Sequence, residues 1–163
     1  MNQACEDPGP KVVIIVGLPG SGKTTYAESA YPDFRLMDDP AGPHEIPEDI
    51  HENIVVTSPF FCREGALNHV MKLVSDRVPD ADLSVIYFEN DPEQCLLNSK
   101  RRLDKPVENL IRDLSEVYHP PEGALPVWSP GLSHDQFERG IHPESQNRHG
   151  EEDGADQEPA EGP

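Results

Sequence analysis

Features that would place this 163-residue chain in a membrane, a secretory pathway or a zinc site are missing. The longest apolar run, residues 12–16, falls far short of the ~20 residues that a membrane-spanning helix needs. The N-terminus has no signal-peptide pattern, so we expect no membrane partner. Cys5, Cys62 and Cys95 are odd in number and lack CxxC spacing. This predicts reduced thiols in a cytoplasm rather than a disulfide framework or a zinc site.

Basic residues are also scarce, because Asp and Glu outnumber Lys and Arg 31 to 13 and give a formal net charge of −18. The excess covers the whole chain, with net charges of −11 for residues 1–130 and −7 for residues 131–163. Proteins that bind nucleic-acid backbones without sequence preference usually carry a basic stripe, since neutralised phosphates supply most of their affinity. Without one, a polynucleotide substrate is expected to be held by a few local cations or by an assisting partner.

What is present is an alternation of apolar strands and amphipathic helices in a chain long enough for one domain. This alternation predicts an α/β fold with a doubly wound, mostly parallel sheet of four to five strands and helices on both faces. The apolar runs predict strands at 11–16, 34–37, 53–58 and 83–88, and the helical patterns predict helices at 24–31, 64–77, 92–103 and 107–118.

Composition divides the chain into three parts. Residues 1–10 are predicted to be a disordered lead-in, residues 11–130 the folded domain, and residues 131–163 an acidic disordered tail with few apolar side chains. Residues 125–128 are expected to form a short edge strand or a docked segment, because the only tryptophan, Trp128, favours burial.

The turn after the first strand carries GLPGSGKT, a complete match to GxxxxGK[ST] between a predicted strand and a predicted helix. Glycines at this turn let successive N–H groups point inward at an anion, and the helix N-terminus adds to the same field. Lys23 is expected to reach the β- and γ-phosphates of ATP, and the Thr24 hydroxyl to bind Mg²⁺. Thr25 is expected to donate to the α-phosphate or to cap the helix. The predicted phosphate-binding residues are Gly17, Leu18, Pro19, Gly20, Ser21, Gly22, Lys23, Thr24 and Thr25.

Two carboxylates follow the second predicted strand, on the edge of the sheet where the phosphate loop lies. Asp38 or Asp39 is expected to accept the proton of an attacking hydroxyl or to orient it, and Asp38 is favoured because it comes first. The alternative is an Asp-Asp-Pro turn that only ends the strand. The third strand ends in Thr57 and Ser58 rather than in the acid that many ATPases use for magnesium.

Cations are concentrated at 98–105, where NSKRR is followed by Lys105. This cluster predicts a lid over the triphosphate, in which an arginine stabilises charge on the transferred phosphoryl group. The alternative is a solvated helix end whose cations complement the helix dipole. Arg63 is expected either to clamp a phosphate from the start of the next helix or to pair with Glu64 on the surface.

Three segments together resemble the kinase domain of bacteriophage polynucleotide kinase and its small stand-alone phage relatives. They are GLPGSGKTTYA at 17–27, the aspartate pair at 38–39 and NSKRR…KPVENLIRDLSEVY at 98–118, within residues 11–120. The resemblance implies that Asp38 is the general base for a nucleic-acid hydroxyl. It implies that Arg101 contacts the donor phosphates, with Arg102 as a second contact. The chain departs from the family in lacking the acid after the third strand and a following phosphatase domain.

Some of these relatives resemble thymidylate and polynucleotide kinases but phosphorylate 5-hydroxymethyl-deoxyuridine within DNA, a step towards hypermodified thymidine. A small, acidic, lone kinase resembles this group more than end-repair enzymes, which gain from a basic channel. If the chain is phage-encoded, the resemblance implies that it acts in the host cytoplasm.

The sequence therefore predicts an ATP- and Mg²⁺-dependent kinase for a hydroxyl of a nucleic acid or nucleotide, with 5-hydroxymethyl-deoxyuridine in DNA as the specific expectation. A polynucleotide 5′-hydroxyl and a free nucleoside or small metabolite are the alternative acceptors. Two other classes stay open: a nucleotide-dependent switch or ATPase without an acceptor, and a binding module whose acidic surface mimics DNA. The oligomeric state is not determined by the sequence.

Overall fold

Strands and helices alternate along the chain. The structure, a computed structural model, describes residues 8–40, 45–101 and 106–130. Its strands are β1 (Lys11–Val16), β2 (Arg35–Asp38), β3 (Ile54–Thr57) and β4 (Asp82–Tyr87). Its α-helices are α1 (Lys23–Ala30), α2 (Glu64–Arg77), α3 (Pro92–Arg101) and α4 (Glu108–Val117), and a 3-10 helix covers Pro59–Cys62.

The four strands form one parallel sheet in the order β2-β3-β1-β4. Ile14 at the middle of β1 lies opposite Val56 of β3 on one side and Val85 of β4 on the other. Parallel neighbours require crossover connections, which helices supply. The sheet confirms the predicted α/β fold with a doubly wound, mostly parallel sheet of four to five strands, of which the described residues form four.

The central strand β1 is buried on both faces, because its side chains alternate between two apolar clusters. Val12, Ile14 and Val16 pack in the larger cluster with residues of α2 and α4, such as Val74 and Leu114. Val13 and Ile15 pack on the other face with Tyr26 and Ala27 of α1. Helices therefore cover both faces of the sheet, which explains why β1 is a continuous β-branched run with no polar alternation.

The segment after α4 returns to the open edge of the sheet beside β4. Leu125 forms a parallel bridge with Phe88. The Leu125 N–H donates to the Tyr87 carbonyl, and the Glu89 N–H donates to the Leu125 carbonyl, each at 2.7 Å. Val127 is buried in the larger cluster and Trp128 packs, half-buried, against the smaller one. The predicted edge segment is thus docked by its backbone and by apolar contacts.

None of the helices in residues 8–40, 45–101 and 106–130 is long and apolar enough to cross a membrane. The predicted tail at 131–163 and residues 1–7 of the predicted lead-in lie outside the described residues. The division of the chain into lead-in, domain and tail stays a prediction.

We expect a chain that ends at Pro130 to unfold at the same temperature as the full chain, because the sequence predicts that residues 131–163 lie outside the folded domain. A chain that ends at Gly123 should melt at least about 5 °C lower, since it loses the Leu125 bridge and the burial of Val127. Thermal unfolding followed by circular dichroism measures both. A large loss of stability in the chain that ends at Pro130 would show that residues 131–163 belong to the fold.

Candidate active site

A cavity of about 530 Å³ opens at the carboxyl edge of the sheet. Its volume lies in the range of small-molecule sites, and ligands of doubly wound sheets bind at this edge. One wall comes from the loop after β1, the first turn of α1, and α3. The second wall comes from the end of β2 and the 3-10 helix. The first wall includes Gly20, Lys23, Thr24, Thr25, Asn98 and Arg101, and the second includes Asp38, Asp39 and Pro59.

The glycine-rich loop has the backbone that an anion-binding turn requires. Gly20 and Gly22 have φ angles of 81° and 98°, in the left-handed region that other residues rarely adopt. Gly22 caps α1, so the unpaired N–H groups of the first helical turn lie at the cavity wall. Pro19 also lines the cavity, whereas Gly17, Leu18 and Ser21 are buried and are not among its lining residues.

The Lys23 side chain is buried, and its ammonium donates to the Leu18 carbonyl at 2.9 Å. Burial lowers the pKa of Lys23, while negative charge at Asp39 and Asp38 acts in the opposite direction. A phosphate brought to this ammonium would favour the charged form, because an opposite charge offsets desolvation. Lys23 is therefore a desolvated cation within the loop that the sequence predicts to bind phosphate.

The Asp38 carboxylate joins three elements at the site. Its Oδ2 accepts a hydrogen bond from the Thr24 hydroxyl at 3.1 Å, and its Oδ1 accepts one from the Thr57 hydroxyl at 2.7 Å. The sequence shows no acid at the end of β3, where Thr57 stands. The structure shows that a carboxylate lies beside that position after all, because the neighbouring strand β2 supplies it.

Asp39 follows with its backbone in the left-handed region, at φ 50°. Its N–H donates to the Thr57 carbonyl at 2.9 Å, which continues the pairing of β2 with β3 by one residue. The Asp39 side chain lines the cavity, and its carboxylate accepts no hydrogen bond from a described residue. Burial and the charge of Asp38 raise the pKa of Asp39, and Lys23 opposes them. The two neighbouring carboxylates thus have different surroundings.

Oxygen ligands of the kind that Mg²⁺ prefers lie together where Thr24 meets Asp38. Among the residues that the structure describes, no group of three or more His, Cys, Asp or Glu side chains is arranged to hold a metal ion. The Thr24 hydroxyl and the Asp38 carboxylate are thus two adjacent oxygen ligands that a metal arriving with a nucleotide could bind.

Asn98 on α3 ties the phosphate loop to the docked segment after α4. Its side-chain NH₂ donates to the Gly20 carbonyl at 2.9 Å and to the Trp128 carbonyl at 2.7 Å, and its oxygen accepts from Gln94. The Trp128 N–H donates to the Ser21 carbonyl at 2.9 Å. Sequence reasoning assigned no role to Asn98 and did not place Trp128 at the cavity, which both residues line.

The remaining predicted cations are placed unequally. Arg101, the last residue of α3, is exposed and lines the cavity, as does Val107 beyond it. Arg63 is exposed just before α2 and is not among the residues that line the cavity. Arg102 lies outside the described residues. Among the described residues, Arg101 is therefore the one predicted arginine that lines the cavity.

Two of the predicted reduced thiols are buried near the ammonium of Lys23. Cys62 ends the 3-10 helix and Cys95 lies on α3, and neither forms a disulfide. Burial raises the pKa of each thiol to about 12, although nearby Lys23 acts in the opposite direction. Both sulfurs are therefore protonated at neutral pH, and we assign them a packing role beneath the loop.

Two solved structures share the fold of this chain. A gluconokinase from Sinorhizobium meliloti 1021 matches with a TM-score of 0.54 at 15% identity, over 82% of this chain and 89% of that one. The structure of APE1195 matches with a TM-score of 0.51 at 19% identity, over 83% of this chain and 92% of that one. The chain has a P-loop kinase fold. At these identities the likeness establishes the fold, and function has to be argued from the site.

Sequence comparison adds one relative. The uncharacterized protein R277 of Acanthamoeba polyphaga mimivirus is 25% identical over 118 residues, which span 66% of this chain and 86% of that protein. No protein-family model matches the chain. The name of this relative assigns no activity, so the sequence match leaves the function to be argued from the site.

We expect Asn98→Asp to destabilise the chain by about 1–3 kcal/mol, because the carboxylate cannot donate to the two carbonyls that the amide now bonds. Gln94→Ala is the control, since it removes only the partner of the Asn98 oxygen and should cost less. Urea unfolding followed by the fluorescence of Trp128, the only tryptophan, measures both. Equal stability of Asn98→Asp and wild type would contradict the donor role of the amide.

Proposed function

We propose that this chain is an ATP- and Mg²⁺-dependent kinase that transfers the γ-phosphoryl group to a hydroxyl. The observation that carries the proposal is the shared cavity of Lys23, Thr24 and two carboxylates, in which Asp38 accepts a hydrogen bond from Thr24. A phosphate loop alone would support nucleotide binding. The carboxylates of the second wall add groups that can orient and deprotonate an acceptor.

The donor is held by the first wall of the cavity. The N–H groups of the loop and of the first turn of α1 bind the phosphates, and Lys23 supplies the fixed positive charge between them. Thr25 lies one residue further along the same turn, at the cavity wall, where it is suited to the α-phosphate. Arg101 reaches the phosphates from α3 and stabilises the charge that develops on the transferred group.

The carboxylates of Asp38 and Asp39 have separate roles in this proposal. Both Asp38 oxygens already accept a hydroxyl hydrogen bond, and one of these comes from Thr24. Asp38 and Thr24 would therefore hold the Mg²⁺ of the nucleotide. Bound Mg²⁺ neutralises charge on the phosphoryl oxygens. The Asp39 carboxylate has no described partner, so we assign it the proton of the attacking hydroxyl. The order of the residues in the sequence favours Asp38 for that step, and the contacts favour Asp39.

The acceptor that the resemblance to phage kinases favours is 5-hydroxymethyl-deoxyuridine in DNA, with a polynucleotide 5′-hydroxyl and a small metabolite as alternatives. A primary hydroxymethyl group is chemically suited to a cavity with a carboxylate base. The gluconokinase that shares the fold acts, by its name, on a hydroxylated small molecule. These points support a hydroxyl acceptor in general. Incubation with labelled ATP and each acceptor in turn separates the candidates.

A switch or ATPase without an acceptor is the second candidate class. The carboxylate beside Thr57 supplies an acid near the position that the sequence leaves without one, so the absence of an acid on β3 no longer argues against this class. It predicts that phosphate is released from ATP at the same rate with and without acceptor. The kinase proposal predicts phosphorylated acceptor as the main product.

We expect calorimetry to detect binding of Mg²⁺ and ATP, and Lys23→Ala to weaken it by about 10- to 100-fold, because a charge-assisted hydrogen bond is lost. Lys11→Ala is the matched control. It removes the same charge from the exposed first residue of β1, at the other end of that strand, and should leave the affinity unchanged. A folded wild-type sample that binds no nucleotide would contradict the proposal.

Asp39→Asn should lower turnover by about 10²-fold or more while nucleotide affinity is retained, since general-base catalysis contributes at least that much. Asparagine suits the left-handed backbone at this position. Asp38→Asn should instead weaken the Mg²⁺-dependent part of nucleotide binding, measured by calorimetry with and without the metal. If the two variants exchange these behaviours, Asp38 is the base, as the sequence order suggests.

A further inference from the structure

The cavity is electrostatically divided between its two walls. Lys23 and Arg101, the described cations that line it, both belong to the donor wall. The acceptor wall contributes Asp38, Asp39 and Pro59. Under the proposed function the donor wall is occupied by the triphosphate, so its cations are already paired. With Asp38 assigned to Mg²⁺, the described groups left for an acceptor on the second wall are the Asp39 carboxylate and the apolar ring of Pro59.

The chain that builds the acceptor wall contains no Lys or Arg anywhere between Arg35 and Arg63. Arg35 pairs with Glu52 at 3.0 Å and begins β2, so the length of the strand, about 10 Å, separates it from Asp38 at the other end. Arg63 is exposed and does not line the cavity. The same segment contains six acids: Asp38, Asp39, Glu45, Glu48, Asp49 and Glu52.

An acceptor with a carboxylate or phosphate next to its reacting hydroxyl needs a cation on this wall. Proteins bind such groups with Arg or Lys, often in paired hydrogen bonds. The described residues of this wall include no cation, so the acceptor's charge would lie against the Asp39 carboxylate, and like charges at an interface are strongly unfavourable. The negative charge of the wall thus disfavours anionic acceptors relative to uncharged ones, even when both carry a suitable hydroxyl.

We propose that the acceptor site selects a hydroxyl on an uncharged group and rejects acceptors whose reacting hydroxyl neighbours a carboxylate or phosphate. This inference rests on the proposed function and deepens it. A hydroxymethyl group on the edge of a base meets the requirement, because the nearest phosphate is separated from it by the base and the sugar. A sugar acid does not meet it, and neither does a 5′-terminal hydroxyl with a phosphodiester on the same sugar.

The test compares matched pairs of acceptors with labelled ATP and the full chain. The first pair is an end-blocked oligonucleotide containing 5-hydroxymethyl-deoxyuridine and the unmodified oligonucleotide with a free 5′-hydroxyl. The second pair is the free modified nucleoside and its 3′-monophosphate, and the third is glucitol and gluconate. In each pair that reacts, we expect the first member to exceed the second by about tenfold or more in kcat/KM. Added salt should narrow the difference by screening the wall.

A variant that adds a cation tests whether the charge of the wall causes the preference between acceptors. Pro40→Arg places a cation directly after Asp39, and Pro40→Gln is its neutral control of similar length. We expect Pro40→Arg, and not Pro40→Gln, to raise kcat/KM for the anionic member of a pair relative to the uncharged member. The ratio within a pair is the readout, because it does not depend on how either variant changes turnover as a whole.

The outcomes distinguish this inference from the proposed function. Faster transfer to gluconate, to the monophosphate or to the 5′-hydroxyl than to the uncharged partner overturns the inference and leaves the kinase in place. Transfer to no member of any pair, by a sample that binds Mg²⁺ and ATP in calorimetry, contradicts the kinase proposal itself. An unchanged ratio in Pro40→Arg would show that the charge of the wall does not set the preference.

Discussion

The site depends on one carboxylate shared by two hydroxyl groups. Asp38 accepts hydrogen bonds from Thr24 at the start of α1 and from Thr57 at the end of β3, so it fixes β2 and β3 against the phosphate loop. These residues meet because parallel strands in the order β2-β3-β1 bring their carboxyl ends to one edge. A charged acceptor in this position also orients the hydroxyl that we assign to magnesium.

Hydrogen bonds from two side chains, Lys23 and Asn98, hold the backbone of the phosphate loop. Lys23 is desolvated and bonded to the Leu18 carbonyl, while Asn98 fixes the Gly20 carbonyl and the backbone of Trp128. Burying an ammonium costs free energy that packing of the core must supply. Because the buried Lys23 ammonium has already lost its water shell, an incoming phosphate would interact with it more strongly than in bulk solvent.

The charge on the phosphate-loop wall of the cavity is opposite in sign to the net charge of the chain. The chain carries a net charge of −18, yet the described cations of the cavity lie together on the wall of the phosphate loop and α3. The proposed triphosphate would therefore be attracted locally by a protein whose net charge repels polyanions. The structures that share the fold are only 15–19% identical to this chain, so the chemistry of the site has to follow from the residues that line the cavity and not from the fold.

The glycine-rich loop motif, an α/β fold with a mostly parallel sheet of four to five strands and the aspartate pair after the second strand can all be predicted from the sequence alone, because strand periodicity and loop motifs are local properties. Only the tertiary structure decided how the pair divides its contacts, since the partners of Asp38 lie 14 and 19 residues away on other elements. The link from Asn98 to Gly20 spans 78 residues and involves no motif. Contacts between distant segments depend on the order of the strands in the sheet and on the packing of the helices. Neither can be predicted from the residues of a single segment.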